Sequence, residues 1–320
     1  MNIRIGIIGY GHLGKSAAQA VLRTPDTDLS VILTARAPSE VQDAPAGVRV
    51  FSLQNMEHFL AETDVFLLCK GSESDTPVLA PELAARACVV DSYDDHARIP
   101  EHRRAVHDAA LSAHTTCLIS AGWDPGYFSL IRLYAEAFLP HGVTYTFWGP
   151  GVSQGHTNAL CRLLQTRDAV QVTVPSANAL RLARKGYIVP LTAAQTHKRV
   201  CYLTGERNRE AEHRIVTLPD YFRGYETSFR YVGTETLQKL KRNHAHRGSV
   251  IRNGICGNSR NSVSADVRLD SNPDFTASVL VACARAVFRL HQEGIFGALT
   301  LCDVAPRYLL PEDADLDRIL

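Results

Sequence analysis

No apolar run in this chain approaches the ~18–20 residues needed to cross a bilayer, so the sequence offers no membrane-spanning helix. Nor is there an excess of charge of one sign. The 34 basic and 33 acidic residues leave a formal net charge of +1, too little to hold polyanionic nucleic acid through a broad positive field. No nucleic-acid or membrane partner is expected; small molecules are. The cysteines, eight in number, include no CxxC pair and no other metal-ligand spacing, which argues against a zinc ribbon or a disulfide framework. Lying mostly inside apolar runs, as Cys69, Cys88, Cys117, Cys161 and Cys201 do, they read as reduced core residues of a cytoplasmic protein. The opening MNIRIGIIGYGHLG runs straight into a strand pattern without the basic stretch, apolar core and cleavage site of a secretory signal. Tryptophan is scarce, only Trp123 and Trp148. Repeats, low-complexity tracts and long linkers are missing.

What is present is a globular composition, 45% hydrophobic and 21% charged over 320 residues, a length that exceeds the ~100–200 residues of one domain. Arg4 to Gly9, Val31 to Ala35, Val65 to Lys70, Cys88 to Tyr93 and Thr116 to Ser120 are short runs rich in Ile, Val and Leu, as in strands buried on both faces of a parallel sheet. Leu13, Ala17, Ala20 and Val21 fall at helical spacing between the first two. The unit is βαβ. Beyond Trp123 the segments Val170 to Val174, Lys198 to Leu203, Glu226 to Val232 and Ser262 to Leu269 alternate polar and apolar residues, which predicts an antiparallel sheet with one wet face. A helix is expected from Asn272 to Gly294, opened by Asp274 as N-cap. The expected fold is α/β: a Rossmann-type dinucleotide-binding domain over 1–122, completed by 273–320, with an α+β substrate-binding and dimerisation domain over 123–272.

Gly9, Gly11 and Gly14 form GxGxxG directly after a strand and at the start of a helix. There the first glycine permits the tight turn, the second admits the pyrophosphate to the backbone, and the third lets helix and strand pack closely. The helix N-terminus offers unpaired N–H groups to phosphate. At the end of the second strand, where NAD enzymes place a carboxylate for the ribose 2′-hydroxyl, the chain reads Leu33, Thr34, Ala35, Arg36. Arg36 with Thr34 suits a 2′-phosphate, so NADP is the expected cofactor.

In open α/β sheets, ligands bind beyond the carboxyl ends of the strands. There lie Asp91, Ser92, Tyr93, Asp94 and then Ala121, Gly122, Trp123, Asp124, Pro125 and Gly126. Asp94 and Asp124 are the candidate contacts for an amine-bearing substrate, one of them accepting a proton as the amine oxidises to an imine. Taken singly, each also fits a capping or turn aspartate. Trp123 and Trp148, each beside glycine or proline, fit a pocket wall and core packing equally.

Together these segments resemble the meso-diaminopimelate dehydrogenase family. GYGHLG at Gly9 to Gly14, CKGS at Cys69 to Ser72, DSYDDH at Asp91 to His96, GWDPG at Gly122 to Gly126, TFWGPGVSQGH at Thr146 to His156, QTHKR at Gln195 to Arg199, LPDYF at Leu218 to Phe222 and NPDFTAS at Asn272 to Ser278 occur in family order over almost the whole chain. The resemblance implies NADP-dependent oxidative deamination of the D-centre of meso-2,6-diaminopimelate to L-2-amino-6-oxopimelate and ammonia. The reverse reductive amination would be a one-step route to the lysine precursor. It implies that Asp94, Asp124, Gln154 and Gly155 hold the reacting D-centre. Thr173, Arg199, His246 and Asn272 would hold the distal L-centre, with Trp123 and Trp148 as walls. The cofactor would touch Tyr10, Gly11, His12 and Leu13; Thr34, Ala35 and Arg36; Cys69, Lys70, Gly71 and Ser72; Ser92, Tyr93 and Asp94; and Ala121, Gly122, Trp123, Asp124 and Pro125. A homodimer paired through the second domain is implied as well.

The match departs from the family at three places. Ala35 stands where a second arginine is usual, and Lys70 where an apolar residue is common, leaving either a charge near the cofactor or a solvated strand end. The stretch Ile251 to Asn261 carries Arg252 and Arg260 in place of a glycine-rich loop. That last departure keeps open a related dehydrogenase of other D-amino acids or 2-oxo acids; a non-catalytic NADP-binding sensor is the third reading. His244 and His246 form an HxH pair without a third ligand, so no metal is expected.

Overall fold

The computed structural model describes residues 2–166, 168–219, 221–318 and 320. Asp220 of the LPDYF stretch lies outside the described residues. The chain forms two compact units, Met1–Leu130 with Pro273–Leu320, and Ile131–Asn272. Among the described residues no helix is long and apolar enough to cross a membrane.

The first unit is built on β1 (Ile3–Ile8), β2 (Thr27–Thr34), β3 (Val50–Ser52), β4 (Val65–Leu68), β5 (Val89–Asp91), β6 (Thr116–Leu118) and a final strand, Gly297–Leu299. They lie in the order Gly297–Leu299, β6, β5, β4, β1, β2, β3, every pair parallel. Strands of a parallel sheet are covered on both faces, and side chains alternate between two cores. Ile5, Ile7, Ile32 and Leu67 pack with Ala17, Ala18 and Val21 of α1 (His12–Arg23) and with Ala277, Leu280 and Ala284 of the helix Asn272–Gln292. Ile8, Leu33, Phe66 and Leu68 pack with Ala80 and Leu83 of α2 (Thr76–Ala84) and with Val106 and Ala110 of α3 (Ile99–Ala113). The direction of winding reverses between β1 and β4, which puts the glycine loop after β1 at the topological switch point.

The segment expected to open the second domain belongs with the first unit. Trp123 meets Phe128 edge-on at 5.3 Å, Tyr127 meets Phe275 at 5.9 Å, and Gly126 faces Leu301. The helix Asn272–Gln292 begins before Asp274, which sits in its first turn rather than at the cap and accepts a hydrogen bond from the Ser16 hydroxyl at 2.6 Å. That helix is clamped within the unit by Arg285, whose guanidinium donates in bidentate fashion to Asp26 at 2.6 and 2.8 Å.

The second unit holds two sheets where one was expected. One runs in the order β11 (Glu226–Tyr231), β10 (His197–Leu203), β9 (Ala169–Pro175), β8 (Gly151–Val152); the other runs β13 (Ser259–Leu269), β12 (His246–Cys256), β7 (Gly142–Trp148). All pairs are antiparallel except β10 with β11. The helix Arg209–Val216 between those two strands supplies the crossover that a parallel pair requires. Residues 251–261, read as a substrate-range loop, form the β12–β13 hairpin. Arg252 is buried there, donating to the carbonyls of Leu139 and Pro140 and to the Thr144 hydroxyl.

Candidate active site

Within the first unit the glycine loop is shaped by what a side chain would strike. Gly9 has φ +94, and an added Cβ would lie 2.6 Å from the carbonyl oxygen of Cys69; a Cβ on Gly14 would collide with the carbonyl of Gly9 itself. A Cβ on Gly11 would meet nothing within 4 Å, so its bareness leaves space that the protein does not fill. Gly11 caps α1 with no side-chain hydrogen bond and no acidic residue in the first turn. Amides and dipole therefore face an open cradle suited to phosphate.

Arg36, just past β2, reaches back to this loop and donates to the Tyr10 carbonyl at 2.6 Å, while its amide donates to the buried Thr34 hydroxyl at 3.2 Å. Tyr10 is fixed by its hydroxyl on the Asp43 carbonyl, and Lys15 pairs with Asp43. Lys70 is neither a bare strand end nor a free charge: its stem lies against Gly9 and its ammonium pairs with Asp75 at 3.0 Å. No carboxylate stands among Thr34, Ala35 and Arg36. These residues fit a dinucleotide bearing a 2′-phosphate.

The Asp94 amide donates to the Ser72 hydroxyl at 3.1 Å, joining the Cys69–Ser72 and Ser92–Asp94 stretches. Burial of its carboxylate among neighbouring atoms pushes the Asp94 pKa up, although the residue as a whole retains solvent-exposed surface; the Ser72 hydrogen bond opposes that rise. A raised carboxyl is suited to exchanging a proton with an amine. Asp124 lies between Trp123 and Pro125 in extended backbone, φ −160 and ψ 111, at partial exposure.

In the second unit one row crosses the sheet: Thr227 of β11, Arg199 of β10, Thr173 of β9 and Gly151 of β8 are register partners. Arg199 is 5% exposed. It donates to the Thr173 hydroxyl at 2.7 Å, its guanidinium stacks on Tyr225 at 4.0 Å, and its Nε has no partner. No carboxylate pairs with it among the described residues, and desolvation pulls its pKa down. A buried guanidinium without a counter-ion is costly unless an anion arrives. His246 packs its ring over Gly151. The Trp148 amide donates to Nε2 of His197 at 2.8 Å, and the two rings stack at 4.9 Å. Burial pulls His197 down to about 4 and His156 to about 3, each helped by the Arg199 charge, so both imidazoles are neutral at pH 7 and Arg199 supplies the positive charge. Gln154 and Gly155 open the helix Gln154–Leu164, with Gln154 bonded to Asn158, and the Asn272 amide donates to the His244 carbonyl. Thr173 and Arg199 thus touch; Trp148 is tied to His197, and His246 to Gly151.

A family model described as the diaminopimelic acid dehydrogenase C-terminal domain matches residues 122–271. The meso-diaminopimelate D-dehydrogenases of Acetivibrio thermocellus and Corynebacterium glutamicum are each 42% identical to this chain, over 98% of its length and 96% and 97% of theirs. The chain belongs to the meso-diaminopimelate D-dehydrogenase family. Among solved structures, the C. glutamicum DAP dehydrogenase in complex with DAP matches with TM-score 0.92 and 42% identity, covering 99% of this chain and 98% of that one. An engineered D-amino acid dehydrogenase bound to NADP+ matches with TM-score 0.89 and 40% identity, over 100% and 98%.

Within this frame, reading the sequence for function missed Tyr225 beneath Arg199, the neutral pair His156 and His197, and the buried pair Asp91 and His102. Three of these sit inside stretches already singled out, His156 in TFWGPGVSQGH, His197 in QTHKR and Asp91 in DSYDDH. Tyr225 and His102 carry no local signal, because their contacts are made across elements.

Proposed function

We propose that this protein uses NADP to deaminate the D-centre of meso-2,6-diaminopimelate oxidatively, giving L-2-amino-6-oxopimelate and ammonia, and runs the reaction in reverse as a reductive amination that supplies a lysine precursor. The observation that carries the reading is the buried Arg199, hydrogen-bonded to Thr173 and paired with no carboxylate among the described residues, a carboxylate receptor in the same chain as a dinucleotide cradle.

Gly9, Gly11, Gly14 and the start of α1 hold the pyrophosphate, and Arg36 with Thr34 the 2′-phosphate; Tyr10, His12, Leu13, Ala35, Cys69, Lys70, Gly71, Ser72, Ser92, Tyr93, Ala121, Gly122 and Pro125 complete the contacts. When bound, the nicotinamide supplies the hydride acceptor. Asp94 and Asp124 attract the ammonium group of the D-centre, and one of the two carboxylates takes the amine proton as the hydride leaves and the C–N bond becomes an imine. Water then adds to the imine carbon, and the C–N bond breaks to release ammonia. Gln154 and Gly155 orient that centre, with Trp123 and Trp148 as walls. Thr173, Arg199, His246 and Asn272 hold the distal amino-acid end, the guanidinium fork matching its carboxylate.

Of the alternatives, the substrate-range reading loses its loop, since residues 251–261 are a hairpin anchored by Arg252. The test is reduction of NADP at alkaline pH with meso-diaminopimelate, beside the LL isomer, simple D-amino acids and NAD. Turnover with the meso isomer and NADP is expected; NADP binding without turnover on any of these substrates would overturn the reading in favour of a sensor. A homodimer is the proposed assembly. Tyr134 and Phe138 stack at 5.9 Å and are exposed, and the Cys256 thiol reaches the Phe138 carbonyl, which leaves apolar surface of the kind subunits cover. Sedimentation should give twice the chain mass.

A further inference from the structure

The carboxyl ends of β5 and β6 are joined by a buried pair to which the mechanism above gives no role. Asp91, the last residue of β5, is 1% exposed. One carboxylate oxygen accepts the N–H of Tyr93 at 3.0 Å and of Ser120 at 2.8 Å; the other accepts from Nε2 of His102 on α3 at 2.7 Å. The Asp91 carbonyl takes the N–H of Ala121 at 2.8 Å. Tyr93 lies over the His102 ring, with centroids 4.2 Å apart at 24°. Ser120 is a non-glycine residue at φ +56 with a buried, unpartnered hydroxyl, a conformation that persists only where its surroundings impose it.

One carboxylate therefore gathers donors from both segments that lead to the amine-facing aspartates, Tyr93 just before Asp94 and Ser120 at the entry to Ala121–Asp124. His102 holds that carboxylate from a third element. We propose that Asp91 and His102 are positioning residues for the amine chemistry, fixing the loop of Asp94 relative to the loop of Asp124. The proposal rests on the assignment of those two aspartates. Its physical ground is the steep dependence of rate on placement, where a misplacement near 1 Å costs about a hundredfold.

The test compares two substitutions in the full-length protein. His102→Phe keeps the ring against Tyr93 and removes the donor to Asp91; His102→Gln keeps an N–H near the position of Nε2. We expect His102→Phe to lower kcat by about tenfold to a hundredfold, with a far smaller rise in the NADP Kd from fluorescence titration, because the pyrophosphate and 2′-phosphate contacts lie on other loops, and with a lowered melting midpoint, because Asp91 keeps only its two backbone donors. His102→Gln should recover most of kcat, and His102→Phe should add little in an Asp124→Asn background, because both changes act on one arrangement. Where the larger Phe ring prevents folding, His102→Leu carries the same expectations. Parent-like kcat in His102→Phe overturns the proposal. So does a loss shared in proportion by kcat, NADP affinity and melting with no rescue by Gln, which would mark a packing role. Full activity in both Asp94→Asn and Asp124→Asn would overturn the aspartate assignment and this proposal with it; impaired aspartate variants beside a fully active His102→Phe would overturn this proposal alone.

Discussion

A single side chain decides the cofactor in this reading, and another decides the substrate. Arg36 stands alone where the family usually has two arginines, so its removal has no adjacent substitute. Arg36→Ala should raise the NADP Michaelis constant about tenfold or more, ~1.4 kcal/mol or above of lost charge-assisted binding, while the NAD constant barely moves; equal effects on the two would remove the 2′-phosphate assignment. Arg199 presents the opposite balance. No carboxylate among the described residues offsets its burial, so Arg199→Met should leave the melting midpoint unchanged or raise it, yet cost the substrate about 2–5 kcal/mol of binding; parallel losses of stability and affinity would mark it as a structural residue. Arg36 was legible in the sequence because it sits at a position with a known duty. The environment of Arg199 was not. Tyr225, His197 and His156 meet it only through strand register and helix packing.

At the level of elements, the glycine loop and the β12–β13 hairpin make contrasting demands. Gly14→Ala would drive a methyl group into the Gly9 carbonyl, an overpacking worth about 1–3 kcal/mol, and should weaken NADP binding along with stability; calorimetry and titration on one sample would show both or refute the close-packing argument. Arg252→Ala would strip hydrogen bonds from two carbonyls and Thr144, lowering stability by about 1–3 kcal/mol with the ranking of amino-acid substrates unchanged; an altered ranking would return the hairpin to the substrate site. The five strands buried by parallel pairing announced themselves as runs of Ile, Val and Leu. β12 did not, because Ser249, Arg252 and Asn253 are buried polar residues. Asn253 is satisfied by the carbonyls of Ala183 and Tyr187, partners that no local pattern reveals. β3 and Gly297–Leu299 are the two edge strands of the parallel sheet, and neither is a run of Ile, Val and Leu.

For the molecule as a whole, the buried histidines make acid the sensitive direction. His197 and His156 fall from an ordinary 6.5 to about 4 and about 3 on folding, so below pH 6.5 the unfolded chain binds protons that the folded chain refuses, and stability drops as pH falls toward 4. Asp26, held low by Arg285, adds a loss of the same sign at lower pH. Thermal midpoints should therefore decline from pH 7 to pH 4.5, and His197→Gln should flatten that slope; an unchanged slope would mean that His197 titrates normally. The division of the chain also orders its birth. The helix Asn272–Gln292 and the strand Gly297–Leu299 that complete the first unit are made by the ribosome only after every residue of Ile131–Asn272. The nascent second unit has its whole sequence in hand while the first still lacks an edge strand beside β6 and the cover over Ile5, Ile7 and Leu67. During synthesis the nucleotide-binding part thus stays open until the segment encoded after the second unit has joined it.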